Sequence, residues 1–284
     1  MKSNLITKIT LCGLLLNGFY ASAQKNNLQV DVAQTVTKIQ PTMYGVFFED
    51  INFAADGGLY AEMIKNRSFE FLFPMMGWQE PNSDRHKLNQ QSGIATVVQY
   101  SNQGTNHNYC RVTLNDASGY QLINEGFRGM GIKKGLKYNL SLKASKLSGN
   151  ITKIKFQFID KDNKVLGETS IVPTSKDWTD YTAQLTSTAT EAKAKLKITF
   201  EGNGVIDLDN ISLFPEDTWK GRKNGMRSDL VQLLYDLKPG FLRFPGGCIV
   251  EGRTLAERYQ WKKSVGKVED RETAVNRWNM EFAH

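Results

Sequence analysis

The sequence predicts an α/β unit with an all-β domain spliced into it, and three observations carry the prediction. Apolar residues run almost continuously over 43–48 and again over Phe241–Phe244, as in strands covered on both faces. From about Arg67 to Phe214, short runs rich in Thr, Val, Ile, Tyr and Phe are punctuated by Gly, Asn, Asp and Ser. Asp229–Leu237 then places apolar residues at helical spacing, and Pro239-Gly240 ends it. Strand, insert, helix, strand is a βαβ unit interrupted after its first strand.

Residues 1–23 read as a secretory leader. Lys2 and Lys8 give a basic start, Leu11–Leu16 the apolar part, and Ala21-Ser22-Ala23 a small-residue cleavage site. That run is too short to span a bilayer, so the expectation is export to the periplasm or beyond, with no membrane span. Residues 24–66 follow. Within them 28–39 alternate apolar and polar as one β-strand. The 43–48 strand comes next, then Gly57-Gly58 and a short helical turn over Leu59–Lys65. The insert, 67–214, is expected to be an antiparallel β-sandwich with strands at 94–99, 109–114, 137–143, 151–159, 164–171, 178–185, 194–200 and 205–213. Residues 215–284 carry the helix, the second strand and the segment after it.

Charge and cysteines exclude more than they propose. The net charge of +7 is mild and its lysines between 133 and 197 alternate with apolar residues, the pattern of a solvated strand face rather than a nucleic-acid footprint. Beyond the leader, Cys110 and Cys248 fall in different predicted domains, and their spacing demands no disulfide. His86, His107 and His284 are scattered singly, so no metal cluster or cofactor is predicted. Asp207 and Asp209 share a strand face and could offer oxygen ligands to a structural calcium ion in the insert, with a solvated or turn-capping role favoured.

The motif Met43-Tyr-Gly-Val-Phe-Phe-Glu49-Asp50 and the run Gly240-Phe-Leu-Arg243-Phe-Pro-Gly-Gly-Cys248 resemble the first and second barrel strands of the α-L-arabinofuranosidases of glycoside hydrolase family 51. Trp261–Gly266, Glu269-Asp-Arg271 and Asn276-Arg-Trp278-Asn279 are similar to that family's segment after the second strand. Asn66–Glu70 and Ile206–Leu213 resemble the two ends of a family 4/9 carbohydrate-binding module. The resemblance implies the first two strands of a (β/α)8 TIM barrel, interrupted by a carbohydrate-binding-like insert, with 28–37 as one strand of a C-terminal-type β-sandwich. Residues 24–66 and 215–284 are too few for a barrel of roughly 200–250 residues, so the chain reads as the front portion of a longer enzyme.

Retaining glycoside hydrolysis needs two carboxyl groups, and the resemblance puts both catalytic glutamates on later strands. No catalytic residue is therefore assigned in this chain, and it is expected to be inactive alone. Asn124-Glu125 falls in the insert and reads as a surface turn. What the resemblance carries over is a substrate-binding set: Glu49 accepting arabinose hydroxyls, Arg243 beside the nucleophile, and Trp278 against a sugar face. Each has a plainer reading: a structural ion pair for Glu49, a barrel-bracing salt bridge for Arg243, a core tryptophan for Trp278. Cys248 stands where several bacterial members have a sugar-contacting asparagine, so its contact with substrate is doubtful. The implied partner is an arabinan or arabinoxylan, and the resemblance admits a homo-oligomer of the full-length enzyme. The alternative is a non-catalytic carbohydrate-binding protein acting through the insert. Trp78, Tyr100, Tyr109, Tyr120, Trp178 and Tyr181 are its candidate stacking residues, Trp178 and Tyr181 being the most core-like.

Overall fold

The computed structural model describes residues 26–81, 92–100, 105–117, 119–272, 274–275 and 282–283, and the leader expected at 1–23 lies outside them. The chain divides into two units, 1–40 and 41–284. In the first, residues 26–40 are exposed coil with one turn, closed by Ala33 N–H on Asp31 Oδ1 at 3.0 Å. The strand expected over 28–39 does not form. Alternation supplies a face, but a strand also needs a neighbour for its N–H and C=O groups, and this segment pairs with none among the described residues.

The second unit is dominated by one nine-stranded curled sheet. Its strands are β2 (Trp78–Gln79), β3 (Gly93–Gln99), β4 (Asn108–Leu114), β5 (Tyr120–Asn124), β6 (Met130–Ile132), β7 (Lys137–Ile159), β8 (Val165–Ile171), β9 (Thr179–Thr186) and β10 (Glu191–Pro215). β7 and β10 pair antiparallel along nearly their whole length. The first part of β10 also pairs with β5 and the later part with β4, while β7 takes β9 on its first part and β8 on its later part. The two predicted strands 137–143 and 151–159 are thus one strand, as are 194–200 and 205–213.

These long strands are sharply bent. Tyr138 and Phe158 lie on the same strand, and 20 residues of straight strand would span about 66 Å. Their rings are 5.0 Å apart. The bend falls where the β7–β10 register slips, between Glu201 and Gly202 and between Val205 and Ile206. There Gly202 has φ +105 and a Cβ on it would sit 2.1 Å from Asn150 O, so only glycine lets the two backbones cross this closely. The two halves of the sheet close on a single core that includes Leu122, Leu140, Phe156, Phe158, Ile198 and Phe200. Each such side chain contributes about 1.5–3 kcal/mol by leaving water.

Beside this sheet, β1 (Val46–Phe47) pairs in parallel with β11 (Leu242–Arg243), with Val46 opposite Leu242 and Phe47 opposite Arg243. Helix α1 (Ser228–Asp236) precedes β11, and Leu237 to Gly240 turn the chain between them. This is the predicted strand–insert–helix–strand order. The faces differ from expectation: Phe47 is 54 % exposed and Leu242 60 %, so neither strand is covered on both sides. A short helix α2 (Cys248–Glu251) follows, and β12 (Ala274–Val275) pairs antiparallel with β13 (Phe282–Ala283). No helix among the described residues is long and apolar enough to cross a membrane.

The helical turn expected at Leu59–Lys65 is instead an extended strap. Its backbone groups bond outward: Met63 N–H to Leu213 O at 3.0 Å, Ala61 N–H to Gly225 O at 3.2 Å, and Leu59 O to Arg227 N–H at 2.8 Å. Long-range partners outbid the i→i−4 ladder that good helix formers would otherwise make.

Candidate functional site

The parallel pair β1–β11 positions the predicted pocket residues. Its ladder extends past the strands proper: Phe48 N–H donates to Arg243 O and Asp50 N–H to Pro245 O, each at 2.9 Å. Alternation then sorts the side chains. Phe48 and Phe244 meet on one face, ring centres 5.7 Å apart. Phe47 and Arg243 share the other, with the guanidinium 4.9 Å from the ring centre. Glu49 follows Phe47 by two residues and belongs to that same face. Glu49 and Arg243 therefore sit together at the carboxyl ends of adjacent parallel strands, where α/β sheets place their ligands.

Glu49 Oε1 is buried and has no hydrogen-bond partner among the described residues. A buried acceptor left unmade is costly, so this oxygen is available to a donor that the protein itself does not supply. The neighbouring Asp50 is spent on structure, its Oδ1 capping Ala55 N–H at 3.0 Å. Gly246 closes over Glu49 with φ +132, and a Cβ there would lie 2.5 Å from Glu49 Cγ. Cys248, at the start of α2, is exposed and forms no disulfide; Cys110 is buried in the sheet core, where burial pushes its thiol pKa up. Trp278 lies outside the described residues, as do His86 and His284.

The structure sorts the candidate aromatics differently from the sequence. Trp78 and Tyr120 are core: Trp78 stacks on Phe69 at 5.4 Å and donates from Nε1 to Asn66 O. Tyr181 is half-buried, its hydroxyl accepting Thr174 and Ser175 N–H. Trp178, read as the most core-like, is 44 % exposed and lies against Tyr109, which in turn meets Tyr100.

Two polar sets escaped the sequence reading. Asn124 is no surface turn: it is fully buried and clamps the strap, accepting Lys65 N–H on Oδ1 and donating to Lys65 O. Glu125 pairs with Lys65 Nζ at 3.3 Å. Glu62 and Arg67 form a buried pair, Arg67 Nη1 to Glu62 Oε2 at 3.3 Å, while Glu62 Oε1 accepts N–H from Met63, Ile64 and Leu213. Nothing in the spacing of Glu62 and Arg67 distinguished them from surface charges.

Asp207 and Asp209 do share a face, but Asp207 is held by Arg111, Nε to Oδ1 at 2.7 Å and Nη2 to Oδ2 at 2.8 Å. A carboxylate so neutralised does not suit calcium. Asp209 accepts from Asn106 Nδ2 and from Asn210. Burial pushes its carboxyl up to about 7, against the pull of those donors and of Lys143, and with Glu70 adding to the rise. The folded chain thus keeps a proton that the unfolded chain has already released between pH 3.8 and about 7. Stability is expected to fall as pH rises through that window, by at most about 4 kcal/mol. Thermal unfolding from pH 4 to 8 reads the slope, and Asp209→Asn should flatten it; an unchanged slope counts against the assignment.

The chain is similar in sequence and fold to known proteins. Residues 233–283 match the alpha-L-arabinofuranosidase 1 domain. An extracellular exo-alpha-L-arabinofuranosidase of Streptomyces chartreusis is 34% identical over 276 residues, covering 89% of this chain and 31% of that protein. Alpha-L-arabinofuranosidase 2 of Arabidopsis thaliana is 34% identical over 262 residues, covering 86% and 37%. An arabinose-bound family GH51 α-L-arabinofuranosidase superposes with a TM-score of 0.73 at 29% identity, over 85% of this chain and 40% of that one. The chain matches the N-terminal portion of the family 51 α-L-arabinofuranosidases. It spans about a third of the length of these curated relatives. The mostly-strand architecture with its curled sheet is the one seen in the family 51 structure.

Proposed function

We propose that this chain forms part of a secreted α-L-arabinofuranosidase, a retaining glycoside hydrolase that releases terminal arabinofuranosyl residues from arabinan or arabinoxylan. The observation that carries the reading is Glu49: an orphaned buried carboxylate oxygen at a strand's carboxyl end, beside Arg243. Such an acceptor suits a sugar hydroxyl. Arg243 would hold a facing carboxylate ionised and oriented, and Trp278 would line the same pocket. The pair β1–β11 would be the first two strands of a (β/α)8 barrel, and the exposed apolar Phe47, Phe241 and Leu242 fit further strands against them. Residues 67–214 would be a carbohydrate-binding-like module inserted after the first strand. The relative described as extracellular supports export.

Retaining chemistry needs two carboxyl groups about 5–5.5 Å apart. Among the described residues Asp50, the carboxylate next to Glu49 at the strand end, is held by Ala55 N–H and is not such a mate. The 284-residue chain is therefore expected to bind arabinose without hydrolysing arabinofuranosides. Saturation-transfer NMR with L-arabinose reads the binding, and release of p-nitrophenol from its α-L-arabinofuranoside reads the activity of the protein isolated from its source. Glu49→Ala should weaken the arabinose binding read by NMR about 100-fold, the worth of a hydrogen bond to a charged acceptor. Unchanged binding would sink the pocket role.

A further inference from the structure

We propose that Phe53 is a positioning residue for Glu49, held in place by Lys65 of the strap and by Phe127 and Arg128 of the β5–β6 connection. A folded loop, 50–58, follows Glu49 and turns back on it. Ile51 N–H donates to Glu49 O at 2.9 Å, Ala54 N–H to Ile51 O at 3.1 Å, and Ala55 N–H to Asp50 Oδ1 at 3.0 Å. A shift of this loop therefore turns the Glu49 peptide unit itself. At the tip of the loop Asn52 and Phe53 stand side by side in the left-handed region, with φ 55 and φ 62. An L side chain is strained there, a bulky one most of all. Two such residues in succession persist only where their surroundings hold them.

What holds them comes from outside the loop. Lys65 Nζ lies over the Phe53 ring, 5.4 Å from its centre, and the Arg128 guanidinium lies over the same ring, also at 5.4 Å. Phe127 meets that ring edge to face, centres 5.5 Å apart. These attractions belong to an aromatic ring and vanish with an aliphatic side chain of similar bulk. Lys65 is itself fixed: its Nζ pairs with Glu125 at 3.3 Å, and Asn124 bonds its backbone on both sides. Phe127 also closes the far end of the loop. Gly57 has φ 76, and a Cβ on it would stand 2.2 Å from Phe127 Cγ, so the loop passes under that ring with no room to spare. Glu49 is thus held from two sides. The ladder to β11 and the cover of Gly246 fix it on one; the cations and ring around Phe53 fix the loop on the other.

The role in binding rests on the reading of Glu49 as the carboxylate that takes arabinose, and two measurements on the full chain keep the two ideas apart. Hydrogen exchange followed by mass spectrometry reads the loop without any sugar. Arg128 is exposed, so Arg128→Gln removes its charge with little change in packing. Phe53→Leu keeps apolar bulk and removes the ring. Each should speed exchange over 50–58 about tenfold, the worth of a lost cation–π contact, while β7 and β10 exchange at the wild-type rate. Phe53→Tyr keeps the ring and should exchange as the wild type does; a residue that only braces the fold would instead loosen the sheet as well. Saturation-transfer NMR with L-arabinose then reads the consequence: Phe53→Leu should weaken binding about tenfold, and Phe53→Tyr should restore it. Wild-type exchange over 50–58 in both Arg128→Gln and Phe53→Leu overturns the proposal. So does a loosened loop that still binds arabinose with wild-type affinity, when Glu49→Ala does not. If Glu49→Ala binds as well as the wild type, the pocket reading falls, and the exchange rates alone decide whether Phe53 holds the Glu49 loop.

Discussion

Arg67→Ala is expected to destabilise the folded chain by about 3–5 kcal/mol, because it strands a buried charge. Glu62 is almost fully covered, and its carboxylate accepts three backbone N–H groups on Oε1, meets the Arg67 guanidinium on Oε2 and takes a side-chain hydrogen bond from Ser212. Burial already pushes the Glu62 pKa up, with Arg67 as the main opposing pull. Without Arg67 that carboxyl must either protonate or remain charged in a dry site. The consequence extends beyond the pair. Glu62 Oε1 bridges the strap, through Met63 and Ile64, to Leu213 on β10, so losing it unfastens the strap from the sheet. A midpoint drop on the order of 10 °C follows for a chain of this size. Replacing both partners by apolar residues, Glu62→Met with Arg67→Met, should cost less than Arg67→Ala alone, since no orphan charge remains. A double variant as unstable as the single would show that packing, not charge, sets the cost. Arg67 also bears an Nη2 with no hydrogen-bond partner, so the native pair is itself imperfectly satisfied.

What the sequence made legible was periodicity; what it hid was distance. The apolar runs at 43–48 and 241–244 and the helical spacing at 229–237 are local signals; the runs hold the two-residue strands Val46–Phe47 and Leu242–Arg243, with Met43 in a 3-10 turn instead, and the spacing holds the helix Ser228–Asp236. The alternation in 67–214 located the expected runs but missed the strands Trp78–Gln79, Tyr120–Asn124 and Met130–Ile132. The corners did not read correctly, because Ser148-Gly149-Asn150 and Gly202-Asn203-Gly204 look like hairpin turns. In the fold they are facing bends in two strands that stay paired around the corner. The residues at 59–65 have good helix propensity, yet their partners lie at 213 and 225–227, which no local window contains. The same holds for the sites. The proposed roles of Glu49 and Arg243 rest on short motifs at strand ends, which are local. The exposure of Trp178 was not legible, because a tryptophan before a strand looks the same whether the sheet curls toward it or away.

Gly246→Ala is expected to cost both stability and sugar binding, and the two losses share one cause. At φ +132 an L side chain is strained by about 1–3 kcal/mol whatever the space around it. The space is also taken: the new Cβ would stand 2.5 Å from Glu49 Cγ and 2.8 Å from its Cβ. Something must move, and the Asp50 N–H to Pro245 O bond at 2.9 Å ties the two backbones together on either side of the contact. The carboxylate is then the part free to swing, which carries Oε1 out of its buried position. Gly246→Ala should therefore reproduce the loss of arabinose binding of Glu49→Ala and add a lowered thermal midpoint, which Glu49→Ala should not show. The pair of variants separates the two contributions: equal binding loss with unequal stability identifies Gly246 as the residue that positions Glu49. Full arabinose binding in Gly246→Ala would mean that the orphan oxygen is not where the sugar is held.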